Sequence, residues 1–265
     1  MATEQTAPVF TILLPIHRPP HMLPIAVESV LAQHEQSFEL FILCDGAPAA
    51  TVTKAEELAQ TDARIAVRAF PKGERHGEAY RGQIIEQESR GRFICQIADD
   101  DMWMPDFLAQ MRRLLAHADF GNLLQVLAEP DGRFLTYGFD LGHEKTRTRM
   151  LEKRFNFFGP SACGYRRTAY HRLEEGWSPA PEDIWTDLFM WRKFLRLDGI
   201  RCATRHEIGV ITMPTPYRLQ MSLEERAAEN RAMLTRVQDR RQRDDLVQAI
   251  RRDAAREYFH LRFPG

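Results

Sequence analysis

The residues best placed to do chemistry are three consecutive carboxylates, Asp99, Asp100 and Asp101, in the stretch RFICQIADDDMWMPDFL, 92–108. Adjacent carboxylates repel one another, and an ionised one is costly to bury without a partner. These three follow an apolar run, so something must compensate them where a core strand ends. A further acid, Asp45, closes a second apolar run in FELFILCDGAP, 38–48, and Glu182, Asp183 and Asp187 stand together in PEDIWTDLFMWRKFLRL, 181–197. Other reactive side chains carry less. Cys44, Cys95, Cys163 and Cys202 are widely spaced and form no CxxC, which argues against a zinc knuckle or a disulfide framework. Cys44 and Cys95 lie inside apolar runs and read as inert core thiols. His17 and His21 flank two prolines rather than sharing a helical face, so they do not read as a metal pair.

The elements that must position these acids alternate between two periods. VFTILL (9–14) reads as a fully buried strand, apolar without alternation. The proline-rich loop PIHRPPH follows, and then Leu23, Ala26, Val27, Val30 and Leu31 repeat as the stripe of a helix packed on a sheet. FELFILC (38–44), RIAVRAF (64–70) and RFICQIA (92–98) are the next strands, with helices expected over 51–60 and 79–90. Pro105 marks a helix start, with Phe107, Leu108, Met111, Leu114 and Leu115 on one face. Strand–helix alternation at this spacing means parallel strands joined by right-handed crossovers, an α/β fold with a mostly parallel, Rossmann-like sheet. In such sheets ligands bind at the carboxyl ends of the strands, where the strand order switches. If the first strand lies between the second and fourth, Asp45 and the triplet face one crevice.

Beyond residue 120 the pattern loosens. NLLQVLA, RFLTYGF and EIGVIT (207–212) read as strands and 181–197 as a helix, while 140–158 reads as a polar, basic loop. The tail from Leu223 to Phe263 is a charged helical region whose signs interleave, read as a solvated or partner-facing helix. The expected organisation is one domain over 1–222, in two halves at about 8–120 and about 121–222, and a helical tail over 223–265.

Composition closes off several classes. Lys plus Arg number 36 against 37 Asp plus Glu, so no global field draws the chain to nucleic acid or membranes. No stretch approaches the ~18 apolar residues of a membrane span, and no charged segment precedes the first apolar run, so the expected location is cytoplasmic. Homodimerisation through the tail and peripheral association at a membrane's inner face both stay open.

Three segments in order resemble the family 2 glycosyltransferases of the glycosyltransferase-A fold: ESVLAQHEQSFELFILCDGAP (28–48), GRFICQIADDDMWMPDFL (91–108) and GPSACGYRRTAYHRL (159–173) with PEDIWTDLFMWRKF (181–194). The resemblance runs from about Val9 to Ser222. It implies an inverting, metal-dependent transfer of a sugar from a nucleotide-diphosphate donor to a hydroxyl acceptor, on a glycan, a lipid carrier or another molecule, in bacterial-type glycan or polysaccharide assembly. The donor's diphosphate leaves as an anion, and a hard cation such as Mn²⁺ or Mg²⁺ held by carboxylates neutralises it. Aligned on Met102–Pro105, the resemblance puts the metal chiefly on Asp100, leaves Asp99 to the ribose or a share of the metal, and makes Asp101 an outer acid or one stabilised by the helix dipole. The plain alternative is that all three cap the helix that follows.

The resemblance also implies that Pro15, Ile16, His17 and Arg18 line the base. Asp45 would accept from the imide N–H of uracil or thymine, and Arg81 and Arg218 would meet phosphate. Asp187 would be the catalytic base, with Asp183 and Glu182 as alternatives. The chain departs from the family pattern at Cys44, Ala98 and Gln220, where an acid, an acid and a histidine usually stand; His206 or water would replace the last. These departures support a second reading, a catalytically degenerate scaffold that binds a nucleotide sugar or a partner. A nucleotidyltransferase is disfavoured because the loop after the first strand has no glycine.

Overall fold

The computed structural model describes residues 7–262; residues 1–6 and 263–265, the outer ends of the expected catalytic domain and tail, lie outside the described residues. In chain order the elements are β1 (Phe10–Ile16), α1 (Leu23–Leu31), β2 (Phe38–Asp45), α2 (Ala49–Thr61), β3 (Ile65–Phe70), α3 (Glu78–Gln87), β4 (Phe93–Gln96), β5 (Asp101–Trp103) and α4 (Phe107–Leu115). Then come β6 (Phe120–Ala128), β7 (Phe134–Thr136), α5 (Glu144–Glu152), β8 (Cys163–Arg166), α6 (Arg167–Tyr170), α7 (Thr186–Leu195), β9 (Cys202–Thr212), α8 (Leu223–Gln238) and α9 (Arg240–Arg262).

The described strands form one sheet in the order β3-β2-β1-β4-β8-β6-β9-β5, with β7 on the edge of β6. β3, β2, β1 and β4 are parallel, as their apolar runs imply. β1 lies between β2 and β4, so the strand order switches at β1, and the loops after β1, β2 and β4 open on the same crevice. Beyond β4 the sheet turns mixed: β8 is antiparallel to both β4 and β6, and β5 is antiparallel to β9. This is a single α/β domain of the glycosyltransferase-A type with helical C-terminal elements.

Four expectations are corrected. β5 and β8 did not register in the sequence, being three and four residues long with partners far along the chain. The basic stretch 140–158 is not all loop but contains α5, anchored by buried Thr146 and Met150. Residues 181–185 form a turn, closed by Ile184 N–H donating to the Pro181 carbonyl, and the helix begins at Thr186. The tail is not merely a solvated helix. Met233, Leu234 and Val237 of α8 and Leu246 and Ile250 of α9 bury themselves against Met102, Met104, Val126, Phe134, Ile211 and Met213, a second apolar core on the sheet. A Ser222–Glu225 capping box starts α8.

The β1–β4 contact leaves no room at its lower end. A Cβ on Gly91 would lie 2.2 Å from the Thr11 backbone nitrogen. The Gly91 N–H donates to Thr11 Oγ1 at 2.9 Å, beside buried Glu39, which also accepts from the Arg90 N–H. Gly91→Ala is expected to destabilise the protein by about 1–3 kcal/mol, the range for forcing atoms into a packed interior. The check is a lower urea midpoint at unchanged slope.

Candidate active site

The acidic triplet forms the corner between β4 and β5. Ile97 N–H still donates to the Leu13 carbonyl at 3.0 Å, and Asp101 N–H closes a turn on the Ala98 carbonyl at 3.2 Å before β5 begins. Ser161 pins this corner: its Oγ accepts from Ala98 N–H at 3.0 Å and donates to Asp101, while its carbonyl accepts from the Trp103 indole at 2.7 Å. None of the three acids caps α4; the Leu108 N–H in its first turn donates to Gln33 Oε1 at 3.0 Å. The helix-dipole role expected of Asp101 is therefore corrected, because Asp101 lies in a strand and its carboxylate meets Ser161. Burial, then the neighbouring Asp100 charge, pushes the Asp101 carboxyl well above its ordinary value.

Asp99 and Asp100 are compensated by arginines. Arg18, in the loop after β1, grips Asp99 with both arms of its fork, Nε to Oδ2 at 2.7 Å and Nη2 to Oδ1 at 2.8 Å. Its Nη2 also lies 2.7 Å from Asp100 Oδ1, and its Nη1 donates to Thr215 Oγ1 at 3.0 Å. From α8, buried Arg226 donates to Asp100 Oδ2 at 3.1 Å. Burial pulls the Arg18 guanidinium down, but its bonds to Asp99 and the charges of both acids more than offset this and hold it above its ordinary value.

The expected metal site can be tested against this arrangement. A hard divalent cation needs free carboxylate oxygens. Both oxygens of Asp99 accept from Arg18, Asp100 Oδ2 accepts from Arg226 while its Oδ1 lies 2.7 Å from Arg18 Nη2, and Asp101 accepts from Ser161. Among the described residues no group of three or more His, Cys, Asp or Glu is disposed to hold a metal. The residues as arranged do not fit the cation that the sequence suggests. Gln220 is exposed on a turn. His206 lines a different cavity, against α9.

The crevice itself is a cavity of about 510 Å³. It brings together Pro15, Ile16, His17, Arg18, Asp45, Arg81, Asp99, Glu182 and Asp187 of the expected residues. Asp183 is not on its wall. Arg218 is a correction: its side chain is wholly buried elsewhere, its fork paired with Glu229 at 2.6 and 2.9 Å and its Nη2 donating to the Ala128 carbonyl. Asp45 accepts from the Gly73 N–H at 2.6 Å and from Lys72. A Cβ on Gly77, which sits at φ +64°, would lie 2.6 Å from this carboxylate, so the loop after β3 wraps Asp45 only because residue 77 has no side chain. Cys44 is buried, and burial pushes its thiol up to about 11, leaving it inert. Burial and the Arg18 charge lower His17, so it faces the crevice as neutral imidazole.

Asp187 sits in the first turn of α7 at the far wall. It accepts from Asn156 Nδ2 at 2.7 Å and from the Leu188 N–H at 2.7 Å. Burial raises its carboxyl above the ordinary range, against these bonds and the Arg81 charge. A carboxylate so placed is a better proton acceptor than a free one. The two walls are tied together: Thr186 donates to buried Glu78 at 2.7 Å, and Glu78 accepts from the His76 N–H at 2.9 Å. Arg154, stacked on exposed Trp185 at 4.9 Å, forms the outer rim. Sequence reasoning missed Thr215, Arg226, Asn156, Ser161, Lys72 and Arg75. Arg75 alone carried a signal, lying in the glycine-bounded loop KGERHG.

The open α/β sheet thus presents acids at the carboxyl ends of β2 and β4 and the buried Asp187 carboxylate on the facing wall of one crevice. Residues 11–174 match the model of glycosyl transferase family 2, and the chain belongs to that family. No curated protein matches it in sequence. Among solved structures it is similar to S. aureus TarS 1-349, with a TM-score of 0.59 and 13% identity over 86% of this chain and 64% of that one. The same TarS fragment in complex with UDP-GlcNAc aligns at 0.57 and 13% identity, over 77% of this chain and 58% of that one. The mannosyltransferase PcManGT from Pyrobaculum calidifontis, in complex with GDP-Man and Mn2+, aligns at 0.56 and 13% identity, over 92% and 80%. At this identity the likeness is one of fold, and the chain spans less than two thirds of the TarS fragment's length. No helix of the described residues is long and apolar enough to cross a membrane.

Ser161→Ala would leave the Ala98 N–H and the Asp101 carboxyl buried without their shared partner. The expected cost is about 1–3 kcal/mol, the penalty for stranding buried polar groups, checked by chemical denaturation.

Proposed function

We propose that this chain transfers a sugar from a nucleotide-diphosphate donor, UDP or TDP favoured, to an acceptor hydroxyl with inversion. The observation that carries the reading is one crevice lined by the loop Pro15–Arg18, by Asp45 and Arg81, and by Asp187 on the opposite wall. The nucleoside lies over the β1 loop, where the Asp45 carboxylate, still with acceptor capacity beyond Gly73 and Lys72, meets the base. Arg81, buried with an unpartnered Nε–H among the described residues, faces the phosphates. In the transfer the acceptor oxygen forms its bond to the anomeric carbon as the carbon–phosphate-oxygen bond breaks. The bonding pair leaves with the diphosphate, and the acceptor's proton passes to Asp187. Glycan acceptors, free or lipid-linked, enter in this reading beside Trp185 and Arg154, which line the crevice. A catalytically degenerate binding scaffold is the second reading, favoured by the arginines that already occupy Asp99 and Asp100.

The first test is thermal unfolding against UDP, TDP, GDP and CDP. A nucleotide at 100 times its dissociation constant should stabilise by about 2.7 kcal/mol, a shift of several degrees. No shift with any of the four would overturn the donor reading. With the donor found, Asp187→Asn is expected to lower kcat by about 10²–10⁴-fold while nucleotide binding persists. Loss of binding instead would make Asp187 structural, and full activity would support neither role.

The pH profile follows from the raised Asp187 carboxyl. The base works only when ionised, so kcat/KM is expected to fall as pH drops through its pKa, with the acid limb above the ordinary aspartate range. Asn156→Ala removes a bond to the ionised form and should move that limb further up.

A further inference from the structure

The proposed donor brings a diphosphate into the crevice, and its charge must be compensated there. The crevice wall carries four guanidinium groups, Arg18, Arg75, Arg81 and Arg154. Arg18 sits between Asp99 and Asp100, where a cation bridging those two acids would have to stand, and its Nη2 is within 2.7–2.8 Å of an oxygen of each. Arginine has five N–H donors. Three of those of Arg18 donate to Asp99 and Thr215 and its Nη2 also lies beside Asp100, which leaves one N–H on Nη1 without a partner among the described residues.

The arrangement is fixed from outside the matched family segment. Thr215 and Arg226 both lie beyond residues 11–174, and both reach Asp100. With Arg226 on one side of Asp100 and Arg18 on the other, the Asp99 and Asp100 carboxylates face two guanidinium groups before any ligand arrives. Arg75 adds a second observation. It is the one non-glycine residue with positive φ, +52°, among the described residues, in the loop that wraps Asp45. Its Nε–H is buried without a partner there, as is that of Arg81. Both Arg75 and Arg81 line the crevice, so a phosphate oxygen there would supply the partner that each buried Nε–H lacks.

We propose that this chain compensates the donor's diphosphate with arginines in place of a divalent cation: Arg18, locked by Asp99 and Asp100, stands at the cation's position, and Arg75 and Arg81 supply further N–H donors to the phosphate oxygens. The proposal rests on the donor reading above. Asp99, Asp100 and Arg226 are positioning residues that hold Arg18, and guanidinium forks suit phosphate better than a point charge does.

Calorimetric titration of wild-type protein with UDP and with GDP, each in EDTA and in saturating Mn²⁺, tests this. The dissociation constants with and without metal are expected to agree within about threefold. Binding seen only with Mn²⁺, or tightened by it about tenfold or more, would overturn the proposal while leaving the donor reading intact. Failure of both nucleotides with and without metal would remove the donor reading and the proposal with it. Arg18→Ala, with Arg18→Lys as the milder change should alanine impair folding, is expected to weaken nucleotide binding in EDTA by about tenfold or more. Mn²⁺ should then restore part of it, because the vacated carboxylates can take the cation, a recovery that a merely structural role for Arg18 does not give. Unchanged binding in EDTA by a folded Arg18 variant would also overturn the proposal.

Discussion

The ion network of Arg18, Asp99, Asp100 and Arg226 is the constraint around which the site is built. Each group is at most partly exposed, and an ion taken out of water costs several kcal/mol unless its partner and hydrogen bonds are in place. The network therefore fixes more than two side chains. It holds the loop after β1 against the β4–β5 corner, and it draws α8 and the short helical turn at Thr215 onto the same point. The C-terminal helices consequently belong to the crevice physically. Their apolar faces complete the second core, and one of their arginines completes the charge balance.

The opposite wall is organised by neutral and singly charged bonds. Asp187 depends on Asn156, which itself follows the two-turn helix α5 and is held by the Phe158 carbonyl. Thr186 and Glu78 join the start of α7 to the start of α3, so the loop carrying Arg75 and His76 is tied to the helix carrying Asp187. A shift of one wall is felt at the other. In a displacement that requires an acceptor oxygen, an anomeric carbon and a leaving oxygen in line, with a base beside the acceptor, such a tie converts binding into orientation.

What the sequence revealed and what it hid follow from the range of each interaction. β1, β2 and β4 are buried on both faces, so their apolar runs are local signals, and the order β2-β1-β4 brings Asp45 and, of the triplet, Asp99 onto one crevice, while Asp100 and Asp101 lie behind its wall. The face of α4 from Phe107 to Leu115 is likewise legible in its own spacing. β5 and β8 are strands only because β9 and β4 run beside them, about 70 to 110 residues away along the chain, and no three-residue pattern announces that. The apolar residues of α8 and α9 are diluted by Arg, Asp and Glu, which made the tail look solvated. Arg218 and Arg226 show the limit most clearly. Both are arginines in a basic, motif-like region, yet Glu229 takes the first away from the crevice and Asp100, 126 residues distant, draws the second toward it. A salt bridge of that span leaves no local trace.

Three adjacent carboxylates can be kept in a protein interior only if their charges are answered separately. The corner does so by three means. Asp99 is gripped by the fork of Arg18, Asp100 is shared between Arg18 and Arg226, and Asp101 meets Ser161, with burial and the Asp100 charge raising its carboxyl well above its ordinary value. Burial works against ionising all three. An additional divalent ion at this corner would have to displace a guanidinium, a cost that an arginine already in place avoids. The same argument explains why Arg18 is held so firmly yet still lines the crevice: a cation compensated on one side by fixed carboxylates retains an N–H and a favourable field for an anion arriving on the other.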